Sequence, residues 1–119
     1  MTTIGPNVKL TVHPQHQGAI RRMLGEGLGL PRQEMGPWDL FTIGDGGTFG
    51  VLYAEHALTP EQARLGAWLE FEVADVDATL ARLGALGFAP FADQDESRNY
   101  FSMPGGQVFR LATPGSSPA

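Results

Sequence analysis

Cysteine is absent from the 119 residues of this chain, and lysine occurs once, at Lys9. The lack of cysteine excludes disulfide bonds, thiolate metal sites and cysteine nucleophiles. Eight Lys and Arg residues are outnumbered by thirteen Asp and Glu residues, for a formal net charge of −5. Because binding to a phosphate backbone needs a basic patch, we expect no nucleic-acid partner, and a cationic or neutral ligand is electrostatically easier to bind than an anionic one.

Long apolar runs and a targeting signal are also missing. No apolar run approaches the roughly 20 residues that span a bilayer. Residues 1–6 have neither the basic flank nor the apolar core of a signal peptide, so we expect no membrane partner and a cytoplasmic location. A chain of this length fits a single domain and buries roughly 65% of its unfolded surface, which is enough for a real core.

The first half combines strands with one helix. Asn7–Val12 alternates polar and apolar residues, which predicts a half-buried strand. Pro14 is predicted to start a helix that ends among the glycines of 25–29. Two further strands are predicted over 38–43 and 48–54, joined by a glycine-rich turn. The segment between the helix and these strands is predicted to be turns, because it contains Pro31, Gly36 and Pro37.

The second half repeats this order after a connection over 55–66, in which Thr59 to Gln62 form a capping box for one helical turn. Trp68–Val73 alternates strictly, and Asp75 is suited to cap a helix that ends at Gly87. Short strands are predicted near 88–92, over 98–103 and over 107–112. The chain therefore predicts an α+β fold of two βαβββ modules, about 7–57 and 67–113, and a disordered tail over 114–119.

The second half resembles the vicinal oxygen chelate superfamily, through LEFEVADVD at 69–77 and YFSMPGGQVFRL at 100–111. GLGL at 27–30 matches more loosely. This superfamily includes glyoxalase I, extradiol dioxygenases, fosfomycin-modifying enzymes and bleomycin-resistance proteins. The resemblance implies curved mixed sheets that enclose a ligand cavity, with the helices outside, and it implies a homodimer. In metal-dependent members, His, Gln or Glu ligands lie on the first and last strands of each module.

The positions that match those ligands carry other residue types here. The first strands place Asn7 and Trp68 there, and the last strands place Arg110 and either Val51 or Leu52. Asn is a poor neutral ligand, Trp binds no metal, and Arg is a permanent cation. We therefore predict a protein without metal or other cofactor.

The same alignment predicts a ligand site on the concave faces. A cavity with aromatic surface and a few polar groups is the usual composition of a small-molecule pocket. We predict a metal-independent protein of the glyoxalase/bleomycin-resistance type that sequesters a cationic small molecule, and we assign no catalytic residue. The predicted ligand-binding residues are Asn7, Lys9, Trp38, Trp68, Glu70, Tyr100 and Arg110.

Two other functions remain open. The chain could be a metal-dependent lyase, isomerase or dioxygenase that uses His13, Glu70 or Glu72 as ligands. It could also be an interaction or regulatory module whose cavity is filled by Trp68. Glu70 and Arg110 could simply neutralise each other, since a buried charge must be paired whatever its purpose. The neighbouring arginine argues against Glu70 as a general base, because it lowers the pKa of a carboxyl group.

Overall fold

The structure is a computed structural model that describes residues 1–91 and 99–115. The chain divides into two compact units, Met1–Leu58 and Thr59–Ala119, and each is described by itself. Among the described residues, no helix combines the length and apolar character needed to cross a membrane.

The first unit is a four-stranded sheet with one helical segment, 14–27. That segment begins as a 3₁₀ turn, Pro14–His16, continues as α1, Gln17–Ile20, and widens to a π-helical stretch, Arg21–Gly27. The strand order is β1-β4-β3-β2, with β1 parallel to β4 and the other pairs antiparallel. The strands are β1 Asn7–Val12, β2 Arg32–Met35, β3 Trp38–Ile43 and β4 Gly47–Tyr53.

Strand alternation gives this sheet one buried face and one open face. Phe41, Phe49 and Val51 are almost completely buried, as are Ile20 and Leu24 of the helical segment. Side chains at alternate positions point to the opposite face, where Lys9 is exposed and Trp38 is half-buried. Burial of each large apolar side chain contributes about 2 kcal/mol to the free energy of folding. The buried face of this sheet therefore supplies the core of the unit.

The prediction of turns between the helix and β3 was wrong for Arg32–Met35, which forms β2. All four of its residues are exposed, so the segment lacks the apolar alternation by which a strand is recognised. Backbone pairing with β3 holds it at the edge of the sheet.

A buried carboxylate ties β2 and β3 to the helical segment. Asp39 is 0% exposed and accepts hydrogen bonds from Arg21 (2.8 and 3.0 Å), Arg32 (3.2 Å) and the hydroxyl of Tyr53 (2.8 Å). Burial alone raises the pKa of Asp39, but these hydrogen bonds outweigh it and hold the pKa below its ordinary value. Burial and the bond to Asp39 raise the pKa of Tyr53.

The second unit contains a three-stranded sheet of order β5-β7-β6. β5 and β7 are parallel, and β6 and β7 are antiparallel. One face carries an aromatic row: Phe71 meets Phe109 edge to face at 5.4 Å, and Phe109 stacks on Phe101 at 5.3 Å. The elements are α2 Pro60–Ala63, β5 Trp68–Glu72, α3 Val76–Ala85, β6 Tyr100–Ser102 and β7 Val108–Ala112.

Several local predictions for this unit are confirmed. Thr59 and Gln62 form the capping box of α2, with bonds of 2.9 and 3.2 Å, and Asp75 caps α3 through the backbone N–H of Ala78. The predicted strand near 88–92 is absent from residues 88–91, where Phe91 makes one backbone bond to Tyr100. Residue 92, Arg98 and the predicted disordered residues 116–119 lie outside the described part.

We expect Asp39→Asn to lower the free energy of unfolding by about 3 kcal/mol at pH 7, because it removes the charge that two arginines share. Chemical denaturation measures this loss. Asp45→Asn, in the exposed turn before β4, is the matched control and should change stability by less than about 0.5 kcal/mol.

The pH dependence follows from the lowered pKa of Asp39. A lowered pKa stabilises the fold above the ordinary value, and this stabilisation is lost as the pH falls through the folded-state pKa. The difference in stability between wild type and Asp39→Asn should therefore shrink below about pH 4. A difference that stays constant down to pH 2 would contradict the role given to Asp39.

Candidate functional site

The open face of the second sheet is built by alternation along β5. Trp68, Glu70 and Glu72 are exposed, whereas Leu69 and Phe71 between them are partly buried. Parallel pairing aligns β5 with β7 so that Glu70 lies directly beside Arg110. The face thus carries Trp68, Glu70 and Arg110 together, as the alternation predicts.

Glu70 and Arg110 form an ion pair on this face. The Arg110 side chain is 3% exposed and that of Glu70 is 27% exposed. Nε of Arg110 donates to Oε2 of Glu70 at 2.7 Å, and Nη2 lies 2.5 Å from the same oxygen. Both of these contacts fall on Oε2, and Oε1 has lone pairs of its own that can accept hydrogen bonds.

Aromatic rings surround this ion pair. The indole of Trp68 meets the ring of Tyr100 edge to face, at 5.8 Å and 89°, and Tyr100 stacks on Phe91 at 6.2 Å. The guanidinium of Arg110 lies 5.8 Å from the centre of the Trp68 ring, and that of Arg64 lies 5.3 Å from Phe91. Trp68 is still 43% exposed, so the indole retains surface for a ligand.

The first unit presents a second group of predicted site residues. Nζ of Lys9 lies 5.2 Å from the centre of the Trp38 ring. Trp38 also borders an open cavity of about 500 Å³, together with Met35, Gly36 and Leu40. Asn7 has a different role, because its Oδ1 accepts the backbone N–H of Thr48 at 3.0 Å and so closes the start of the β1 and β4 pair.

The seven predicted residues therefore fall into two sets. Within the second unit, a chain of contacts joins Glu70 to Arg110, Arg110 to Trp68, and Trp68 to Tyr100. Within the first unit, Lys9 and Trp38 are in contact, and the Asn7 side chain bonds to the backbone.

The donor atoms at the expected metal positions do not fit a divalent ion. The Asn7 oxygen is a neutral donor that already accepts the Thr48 N–H, Trp68 offers no lone pair, and Arg110 is a cation. At the fourth position, Leu52 is on the open face and Val51 is buried on the other. Groups of three or more His, Cys, Asp or Glu that could hold a metal do not occur within residues 1–91 and 99–115.

His13, a ligand candidate for the enzyme alternative, caps a helix. Its Nδ1 accepts the backbone N–H of Gln15 at 3.1 Å, at the start of the 3₁₀ turn. His16 approaches the side chain of Gln15 at 3.4 Å. Both rings thus contact the first turn of their own helical segment.

Comparison with solved structures identifies the architecture. FosX, a genomically encoded fosfomycin resistance protein from Listeria monocytogenes, aligns with a TM-score of 0.72 at 15% identity, over 100% of this chain and 97% of its own. A possible glyoxalase from Bacillus cereus gives 0.68 at 20% identity, over 92% and 98%. A glyoxalase/dioxygenase from Nostoc punctiforme gives 0.69 at 18% identity, over 93% and 95%.

The chain has the vicinal oxygen chelate fold. The glyoxalase-like, fosfomycin-resistance and dioxygenase-like neighbours are all members of that superfamily, so the predicted resemblance and the α+β class are confirmed. No protein-family model and no curated protein sequence matches the chain. At these levels of identity, the likeness establishes the fold.

Three residues beside the open faces of the two sheets were not predicted, Gly50 in the first unit and Phe91 and Arg64 in the second. Gly50 lies beneath Trp38 and Leu40, and a Cβ there would stand 3.3 Å from the indole. Phe91 stacks on Tyr100, and the Arg64 guanidinium lies 5.3 Å from Phe91; both residues lie outside helices and strands. A glycine inside an alternating strand was the available signal for Gly50, since it often marks close approach to another group.

The ion pair predicts that Glu70 contributes more to the stability of the fold than Glu72, which lies on the same face. Glu70→Gln leaves the buried Arg110 without its facing carboxylate, so we expect a loss of about 2 to 3 kcal/mol in the free energy of unfolding. Glu72→Gln is the matched control on the same face of β5. Its oxygen accepts the Gly115 N–H at 3.1 Å, and glutamine can retain that bond. Equal losses for the two variants in urea denaturation would contradict the pairing.

Proposed function

We propose that this chain is a metal-independent small-molecule-binding protein that holds a cationic ligand on the open face of its second sheet without transforming it. The observation that supports this proposal most is the contact of Arg110 with both Glu70 and Trp68 on one sheet face. Trp68 and Arg110 stand at positions where the resemblance implies metal ligands in metal-dependent members. The fold supports a ligand-binding function, and the solved neighbours include a fosfomycin resistance protein.

Glu70 supports a cation as the ligand. Both contacts with Arg110 fall on Oε2, so Oε1 can accept a hydrogen bond from a ligand ammonium or amidinium group. Such a charge-assisted bond is roughly twice as strong as a neutral one. Arg110 fixes the carboxylate in place, so little side-chain entropy is lost when a ligand binds.

The aromatic rings support a ligand with a flat apolar part. Trp68 and Tyr100 stand at 89° to each other, so their rings offer two perpendicular surfaces beside Glu70. Aromatic surface attracts both apolar groups and cations. A protonated aromatic amine matches this combination, and the net charge of −5 favours its approach.

Catalysis by Glu70 is disfavoured by its neighbour. The ion pair with Arg110 accounts for the Glu70 carboxylate on this face without a catalytic role. The homodimer implied by the superfamily remains a prediction.

Binding can be tested by calorimetry with protonated aromatic amines and quaternary ammonium compounds, each compared with its neutral isostere. We expect cations to bind at least tenfold more tightly than isosteres. Trp68→Leu and Glu70→Gln should each weaken cation binding about tenfold, which corresponds to about 1.4 kcal/mol. Glu61→Gln removes an exposed carboxylate of α2 and serves as the control for net charge. Equal affinity for charged and neutral compounds would overturn the cationic assignment.

Metal independence has its own test. Protein purified without a chelator or affinity tag should contain no stoichiometric divalent metal by elemental analysis, and ligand recovered after incubation should be chemically unchanged. One metal ion per chain, or a converted ligand, would favour the lyase, isomerase or dioxygenase alternative.

A further inference from the structure

The open face of the first sheet differs in charge from the rest of this acidic protein. Strand pairing aligns its side chains in rows that run across all four strands. One row consists of Lys9, Gly50, Leu40 and Gln33. The next row consists of Thr11, Leu52, Trp38 and Met35.

Lys9 is the single charged residue that these strands place on the open face. The acidic residues of the sheet, Glu34 and Asp39, are paired with each other across β2 and β3 and lie on the opposite face. There they contact Arg21, at 3.5 and 2.8 Å. Over the described residues, the contact recorded for Lys9 is with the Trp38 ring, and no carboxylate lies within ion-pair distance of Nζ.

Gly50 shapes the surface beside Lys9. Because Gly50 has no side chain, Trp38 and Leu40 lean over its backbone, where a Cβ would stand 3.3 and 3.4 Å from them. The indole thereby reaches across β4 toward Lys9 and forms one wall of the cavity. The ammonium group of Lys9 thus lies against Trp38, and Trp38 lines the cavity together with Met35, Gly36 and Leu40.

We infer that this cavity binds a small apolar monocarboxylate, whose carboxylate meets Lys9 and whose apolar body lies against Trp38, Leu40 and Met35. A volume of about 500 Å³ is within the range of small-molecule pockets. A single cation complements one negative charge. The site uses none of the residues of the cation site proposed on the second sheet.

The test compares 2-naphthoate with the neutral 2-naphthamide, which has nearly the same shape. Both are titrated while the indole N–H signals of the two tryptophans are followed by NMR. We expect 2-naphthoate to shift the Trp38 signal and to bind at least fivefold more tightly than the amide. Lys9→Met should remove that preference by weakening only the acid, and Lys9→Arg should restore it.

Two further variants separate the effect of the Lys9 charge from effects of net charge and of cavity shape. Arg22→Met removes an exposed cation of the helical segment, with the same change in net charge, and should leave the preference intact. Gly50→Ala should weaken the acid and the amide alike, because the new methyl group displaces the indole. Circular dichroism confirms that each variant is folded.

The inference would be overturned by no binding of 2-naphthoate, by equal affinity for acid and amide, or by an acid affinity that Lys9→Met does not change. A shift confined to the Trp68 signal would show that 2-naphthoate binds at the second sheet, and this result would also overturn the inference. None of these outcomes bears on the cation titrations, which depend on Trp68 and Glu70.

Discussion

A guanidinium buried on a sheet face needs a carboxylate beside it, and this requirement organises the second unit. Arg110 is 3% exposed, and parallel pairing of β5 with β7 supplies Glu70 as its direct neighbour. The pair fixes one carboxylate oxygen and leaves the other able to bind a ligand. Trp68 and Tyr100 then stand beside a fixed anion, which is the basis for proposing a cation as the ligand.

In the first unit a buried carboxylate needs cations beside it, and it lies on the face of the sheet that packs against the helical segment. Asp39 is buried among Arg21, Arg32 and Tyr53, so the acidic residues of the sheet are engaged on the helix side. The open face is left with Lys9. A net charge of −5 therefore describes the chain as a whole and does not describe this surface.

Most of the fold could be predicted from the sequence, because the strong local signals in the sequence agree with the tertiary structure. The alternation of Trp68–Glu72, the cap at Asp75 and the capping box at Thr59 depend on neighbouring residues, and all were predictable. β2 was not, because an exposed edge strand has no apolar pattern and depends on pairing with β3.

The candidate site was predictable only in part for the same reason. Alternation places Glu70 and Arg110 on the same face, but the buried network around Asp39 depends on contacts between residues 7 to 18 positions apart. The bond from Asn7 to Thr48 spans 41 positions and gives a predicted ligand residue a backbone role. Such contacts require the strand order to be known first.

The most direct test of the central claim is an NMR titration of the indole N–H signals with a protonated aromatic amine such as 2-naphthylmethylammonium. The expected result is a saturable shift of the Trp68 signal that needs about tenfold more ligand in the Glu70→Gln variant, while the Trp38 signal stays in place. A Trp68 signal that does not move, or that moves equally in the Glu70→Gln variant, would contradict a cation site built on Glu70 and Arg110.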